Sequence, residues 1–410
     1  MPLIVQKYGG TSVGDPQRIR AVAERLVATQ KEGCRVVAVV SAMAGVTDSL
    51  LKLAHAISPQ PSPRELDSLL ATGESAATAL TAMAVNALGA RAVSLSGAQA
   101  GILTDRAHTR AKIANISPRR IQALLAEDLI VVVAGFQGQN PDGETTTLGR
   151  GGSDLSAIAL AGALNADACQ IFTDVDGVFT CDPRLIAEAN KLDEISYDEL
   201  LEMAGAGAKV MQSRAVEFAK KFGVPFEVRS SFTGVPGTVA RDETPNMEEV
   251  VVRGVSLDRK QAKVTICGVP DRAGVAGEIF SAIARANLIV DMIVKNVSSG
   301  DTTDVSFTVH ENDLAEARKI LAPLSATIGA SGINARSGVA KLSVVGIGMR
   351  SHSGVAARFF EALGRGRVNI ELISTSEIKI AVVIDEKDAE AAVRLTHDAF
   401  DLKRLLVPAG

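Results

Sequence analysis

Residues Gly274–Ile293 (GVAGEIFSAIARANLIVDMI) align without a gap on Gly354–Ile373 (GVAARFFEALGRGRVNIELI). Gly, Val, Ala, Phe, Arg and Ile recur at matching places, while Val290 falls on Ile370, Asp291 on Glu371 and Met292 on Leu372. A repeat of this length builds the C-terminal half twice from one supersecondary unit, which constrains the architecture more than any other feature of the chain. Each copy follows an apolar strand (Val264–Gly268; Leu342–Gly346) and then reads loop, helix, strand. Two small α/β modules are expected, over residues 261–335 and 336–410.

The preceding half alternates β-rich runs with helical patterns. Strands are expected at Leu3–Val5, Arg35–Ser41, Ala92–Leu95, Leu129–Ala134, Cys169–Thr173 and Pro225–Arg229, and helices at Pro16–Lys31, Ser75–Leu88, Pro118–Glu127, Ser153–Leu164 and Lys209–Phe222. Continuously apolar runs such as Val36–Val40 and Ile130–Val133 suit strands covered on both faces. The class is therefore α/β, a three-layer αβα sandwich on a mostly parallel sheet. Turn residues at Thr233–Thr238 and Arg241–Pro245 break the pattern, giving a domain over 1–230 and a linker over 231–260.

With no Trp, 2 Tyr and 12 Phe, the cores must be built from Val, Ile, Leu and Ala. A formal charge of −4 gives no general attraction to nucleic acid or to a membrane surface, so neither is expected as a partner. Cys34, Cys169, Cys181 and Cys267 form no CxxC pair and have no His at zinc spacing, as free thiols in a reducing compartment would. The N-terminus is too soon charged for a signal peptide, and no apolar run reaches the roughly 20 residues of a membrane span. A cytoplasmic location is expected.

Four stretches carry chemistry. Lys7-Tyr8-Gly9-Gly10-Thr11-Ser12-Val13-Gly14 takes a strand into a helix start, where a glycine pair lets backbone amides approach a phosphate and Lys7 adds a point charge. It reads equally well as a Gly-rich turn with a solvated lysine. Ser41–Asp48 offers hydroxyls at Ser41 and Thr47, or simply a helix start capped by Thr47. Leu148-Gly149-Arg150-Gly151-Gly152-Ser153-Asp154 combines an arginine, two glycines and a helix start into a carboxylate clamp, with Asp154 able to hold an ammonium group. Glu74 supplies a second ammonium partner, or only a helix-start glutamate. Phe172–Arg184 runs a strand into an acidic loop that suits magnesium nucleotide or ribose, although Asp-Gly and Asp-Pro are also plain turn chemistry. Lys209, after Gly205-Ala206-Gly207-Ala208, is a further cation for phosphate.

In this order the segments resemble the aspartate kinases of the amino-acid kinase superfamily, and the repeat resembles paired ACT regulatory modules of βαββαβ form, above all at Val368–Glu377 (VNIELISTSE). The resemblance covers almost the whole chain. It implies that Lys7, Arg150 and Asp154 serve catalysis. ATP, carrying Mg2+ that no protein side chain need hold, would meet Lys7, Tyr8, Gly9, Gly10, Thr173, Asp174, Phe179, Arg184, Lys209 and Val210. L-Aspartate would meet Ser41, Thr47, Glu74, Arg150, Gly151, Gly152, Ser153 and Asp154. The acceptor carboxylate is already ionised at neutral pH, so no general base and no His or Cys nucleophile is required. Positioning and charge neutralisation suffice.

For the modules the resemblance implies feedback by lysine or threonine, at Asp271, Asp291, Met292, Ile293 and Asn296 in the first copy and at Asn369, Ile370 and Ser376 in the second. Many relatives have Gln where this chain has Lys295, a cation that would oppose a cationic effector. Taken alone, Asp291 and Glu371 read as strand-end surface charges. The resemblance further implies a homo-oligomer, or an assembly of α and β subunits if Met247 serves as an internal start. Two other readings stand beside it. One is a related kinase acting on glutamate, N-acetylglutamate, carbamate or a nucleoside monophosphate; the other is an inactive amino-acid sensor.

Overall fold

The apolar runs Val36–Val40 and Ile130–Val133 lie in the middle of an eight-stranded sheet. Its order is Glu194–Ser196, Thr238–Arg241, Phe226–Ser230, Ala168–Thr173, Leu3–Tyr8, Arg35–Val40, Ile130–Ala134, Ala92–Leu95. All pairings are parallel except that of Phe226–Ser230 with Thr238–Arg241. Val36, Ala38 and Val40 join one apolar cluster with Leu26 and Val85, from helices Pro16–Lys31 and Pro63–Ala87. The alternate residues Val37 and Val39 are just as buried, as period-two side-chain alternation between two covered faces requires. Helix Gly152–Leu164, apolar on nearly every side, packs on the three central strands. The result is an α/β fold with a mostly parallel sheet between helices.

The computed structural model describes residues 1–205, 211–242, 251–297, 301–350 and 352–403. The described chain divides into two units, one of residues 1–178, 191–204 and 211–242, the other chiefly of residues 179–190 and 251–403. Lys209, Val210 and Met247 lie outside the described residues.

Several sequence expectations are corrected within the first unit. The helix expected from Ser75 begins at Pro63 and runs 25 residues, so Thr72-Gly73-Glu74 sits inside it rather than at its start. Gly73 is there for packing: a Cβ would lie 3.1 Å from Ala42 and 3.2 Å from Val46. Neither Thr47 nor Ser153 caps a helix, because Gly45 and Gly151, both left-handed, occupy the cap positions. A four-stranded sheet of Ile113–Ile116, Ile102–Thr104, Gln137–Gln139 and Thr145–Thr147 was not expected. Its strands are three or four residues long, too short for a periodic signal.

The second unit carries the repeat on one six-stranded antiparallel sheet, ordered Val290–Val297, Thr302–His310, Gly254–Pro270, Gly332–Val345, Lys379–Asp385, Ile370–Thr375. Helices Val275–Arg285 and Val355–Arg365 start at Gly274 and Gly354, matched positions with φ of 92° and 98°. Ile279 in one core and Phe359 in the other occupy corresponding places. The two long strands serve both modules, so the copies interleave. Residues 254–258, assigned to the linker from sequence, pair with Lys341–Val345 and place Val255 in the second core. Thr238–Arg241, also assigned to that linker, is a strand of the first unit. Cys181 and Ile186, from the segment read as part of the first domain, also enter the second core. All four cysteines are free, and Cys34, Cys169 and Cys181 are buried.

His397 is wholly buried in the second unit, its Nε2 3.1 Å from the Thr180 hydroxyl. Burial holds its pKa below the ordinary 6.5. The unfolded chain therefore binds the proton more readily, and folding stability should fall as pH drops below about 6.5. Urea unfolding at about pH 7.5 and about pH 5.5 checks this: the acid-side loss should shrink in His397→Gln, and an unchanged loss would remove His397 as its source.

Candidate active site

The central parallel strands end together, and the crevice outside their carboxyl ends is where open α/β sheets bind ligands. Leu3–Tyr8 is the switch point: the chain fills positions on the Arg35–Val40 side first, then continues from Ala168–Thr173 on the other. The glycine loop lies across this point. Gly9 N–H donates to the Phe172 carbonyl at 3.3 Å, and the Gly10 carbonyl accepts from Ala44 N–H at 3.1 Å. A Cβ on Gly10 would come within 2.8 Å of the Ala42 carbonyl, so a side chain is excluded there.

A cavity of about 510 Å³ opens beside the loop. Lys7, Ser41, Thr47, Glu74, Arg150 and Asp154 line it, as do Gly10, Gly151, Gly152 and Ser153. Four separate stretches of chain thus reach one space. Lys7 Nζ lies 2.6 Å from Asp154 Oδ1, both residues less than a tenth exposed. Arg150 is exposed and has no ion-pair or hydrogen-bond partner among the described residues. Gly151, with φ of 72°, leaves no room for a Cβ against Gln212.

Glu74 is 4% exposed, with Oε1 accepting from Ala42 N–H at 3.3 Å and Oε2 buried without a hydrogen-bond partner among the described residues. Burial pushes its pKa up to about 7. A buried acceptor facing a cavity is suited to a ligand cation.

Other expected residues lie elsewhere. The Tyr8 ring stacks on Phe172 at 4.9 Å inside the core, its hydroxyl donating to Gln6, so only its backbone faces the loop. Gly9 stands near the ammonium of Lys7, 3.4 Å from where its Cβ would be. Thr173 and Asp174 close the neighbouring strand, with the Thr173 hydroxyl donating to Asp174 at 3.1 Å. Phe179 and Arg184 belong to the second unit, where Arg184 pairs with Asp182 at 2.7 Å. Sequence reasoning missed Thr109, Phe136 and Thr147 on the cavity wall. They come from loops and short strands that no local motif announces.

In the second unit, Asp291 is no bare surface charge: it pairs with Lys341, itself 3% exposed. Asp271 pairs with Lys295 at 2.7 Å. Met292 is buried, Ile370 half-buried, and Ile293, Asn296, Asn369 and Ser376 exposed. Glu371 is held by Arg336 at 2.7 Å and Lys263 at 3.3 Å.

Residues 2–230 match the model of the amino acid kinase family, and residues 264–323 and 342–400 match an ACT domain. The aspartate kinase of Stutzerimonas stutzeri is 53% identical over 100% of this chain and 99% of its own length, and the aspartokinase of Mycobacterium tuberculosis is 49% identical over 98% and 97%. The chain belongs to the aspartate kinases of the amino acid kinase family. The crystal structure of E. coli aspartokinase III in complex with aspartate and ADP is similar to this kinase with a TM-score of 0.83 at 27% identity, over 97% of this chain and 99% of that one. The lysine and aspartate complex of the same E. coli enzyme gives 0.78 over the same shares.

The raised pKa of Glu74 has a thermodynamic consequence for this kinase. The folded protein keeps a proton that the unfolded chain gives up, so stability falls as pH rises from about 4.5 to about 7. The cost above that range is on the order of 3 kcal/mol. Glu74→Gln should raise the unfolding midpoint of the ligand-free enzyme at about pH 8. A lower midpoint, measured by calorimetry, would refute the burial account.

Proposed function

We propose that the enzyme transfers the γ-phosphoryl group of magnesium-bound ATP to the side-chain carboxylate of L-aspartate, giving ADP and 4-phospho-L-aspartate. This reaction opens the route to lysine, threonine, methionine and diaminopimelate. One observation carries the reading: a lysine–aspartate pair, an arginine without a partner among the described residues and a buried glutamate acceptor share a single cavity beside a glycine loop. That set answers a zwitterionic dicarboxylate. Glu74 and Asp154 meet the α-ammonium side, Arg150 binds a carboxylate with its planar fork, and Ser41 and Thr47 hold the remainder. Gly9, Gly10 and Lys7 take the phosphates, with Thr173 and Asp174 on the nucleotide side. The aspartate and ADP complex of the E. coli enzyme supports the same substrate pair.

Chemistry then needs little from the protein beyond placement. Two anions repel, and Lys7 offsets the charge that spreads over the transferring group. Asp154, 2.6 Å away, fixes where that ammonium sits. The acceptor oxygen attacks in line as ADP leaves, with no proton to remove. The second unit would sense lysine or threonine. The lysine complex of the E. coli enzyme supports lysine, and the Lys295–Asp271 pair sets a competing cation against it. A cytoplasmic enzyme assembling through its ACT modules completes the reading, and among the described residues no helix is long and apolar enough to cross a membrane.

A coupled ADP-release assay should show turnover with aspartate and little with glutamate or N-acetylglutamate; equal rates with glutamate would sink the substrate assignment. Lys7→Ala should lower kcat roughly 10²-fold or more. Arg150→Ala and Glu74→Gln should each raise the aspartate KM roughly tenfold or more while sparing that for ATP. Lysine and threonine, added separately, identify the inhibitor; no response to either would reject the regulatory assignment.

A further inference from the structure

Asp67 is the most deeply buried carboxylate near the site, 0% exposed, and phosphoryl transfer has no evident use for it. It stands two helical turns before Glu74 on Pro63–Ala87, on the same face. Its oxygens are fully engaged. The Thr147 hydroxyl donates to Oδ1 at 2.5 Å, Thr109 N–H donates at 3.1 Å to Oδ1 and 2.9 Å to Oδ2, and His108 Nδ1 lies 2.9 Å from Oδ2. A carboxylate taken from water is strongly destabilising unless such bonds replace its hydration. Thr147 belongs to the stretch that leads to Arg150, and the His108–Ala111 loop packs against that stretch.

What they hold is strained. Thr109 has φ of 66°, a left-handed conformation that is strained for a β-branched residue and persists only where its surroundings over-determine it. Its carbonyl lies 3.2 Å from where a Gly149 Cβ would stand, and Gly149 itself has φ of 79°. Thr147 precedes Arg150 by three residues. Arg214 then bridges the Leu148 and Ala111 carbonyls at 2.6 Å each, and Ala111 N–H donates to the Thr147 carbonyl at 2.9 Å. The backbone is tied up to Arg150, while the Arg150 guanidinium itself stays free of partners among the described residues.

We propose that Asp67 is a positioning residue for the acceptor substrate: through Thr147 and Thr109 it sets the backbone from which Arg150 receives the carboxylate. One helix would then hold both walls of the aspartate pocket, through Glu74 on one side and Asp67 on the other. The inference rests on the reading of Arg150 as the carboxylate clamp. Misplacing a binding group by about 1 Å can cost on the order of 10²-fold, so removing the tether should be felt at the substrate.

Steady-state kinetics on the full-length enzyme test this. Asp67→Asn should raise the aspartate KM roughly tenfold or more, with the ATP KM within about twofold. Thr147→Val, which keeps the shape and loses the hydroxyl, should do the same, and Thr147→Ser should restore the wild-type value. This pair decides the matter if Asp67→Asn fails to fold. An aspartate KM unmoved in folded Thr147→Val, or KM values for both substrates rising together, would overturn the role. Wild-type enzyme lacking aspartate-dependent ADP release would instead overturn the functional reading itself, and a wild type that turns over while Arg150→Ala leaves the aspartate KM unchanged would overturn the clamp.

Discussion

A lysine ammonium and an aspartate carboxylate, 2.6 Å apart and both nearly out of solvent, sit where the central strand meets the central helix. Removing two such ions from water costs several kcal/mol each, and their attraction repays this only with good geometry. The cost is tolerable because neither partner is placed by a flexible segment. Lys7 belongs to a strand hydrogen-bonded on both sides, and Asp154 to the first turn of a helix buried on nearly every face. The parallel sheet therefore does more than make a core. It delivers a fixed positive charge to the crevice at its own switch point, next to amides that the glycine pair leaves uncovered.

The second organising element is the 25-residue helix Pro63–Ala87. It carries two buried carboxylates seven positions apart, with opposite degrees of satisfaction. Asp67 has its full complement of donors, whereas Glu74 keeps one oxygen in reserve. The first pattern belongs to construction and the second to recognition. That contrast, rather than burial alone, separates residues that shape the cavity from residues that answer what enters it.

Much of this was legible in the chain itself. Val36–Val40 and Ile130–Val133 announced two-sided burial, and the exact spacing of Gly274 and Gly354 announced two equivalent helix starts with the same backbone requirement. That Lys7 and Arg150 would reach one cavity was readable because glycine loops leave local signatures. The wall formed by Thr109, Phe136 and Thr147 was not, since its strands are too short for periodicity and its register is set by partners up to 80 residues distant, as in the bond from Thr147 to Asp67. Gly73 misled for a similar reason: beside Glu74 it imitates a helix boundary, but its purpose is to admit the loop at Ala42 and Val46. The two units do divide within 231–260, but less of that span is linker than expected, because Thr238–Arg241 joins the first sheet and the strand starting at Gly254 pairs with residues that come much later.

The interleaved second core has a bearing on how the polypeptide is made. Cys181 and Ile186 share that core with Val393 and Leu402, so their packing partners leave the ribosome roughly 200 residues later. At about 5–20 residues per second, the earlier segment waits on the order of 10–40 s for its mates. Until those residues are made, the first half of the nascent chain carries an apolar stretch whose core is incomplete.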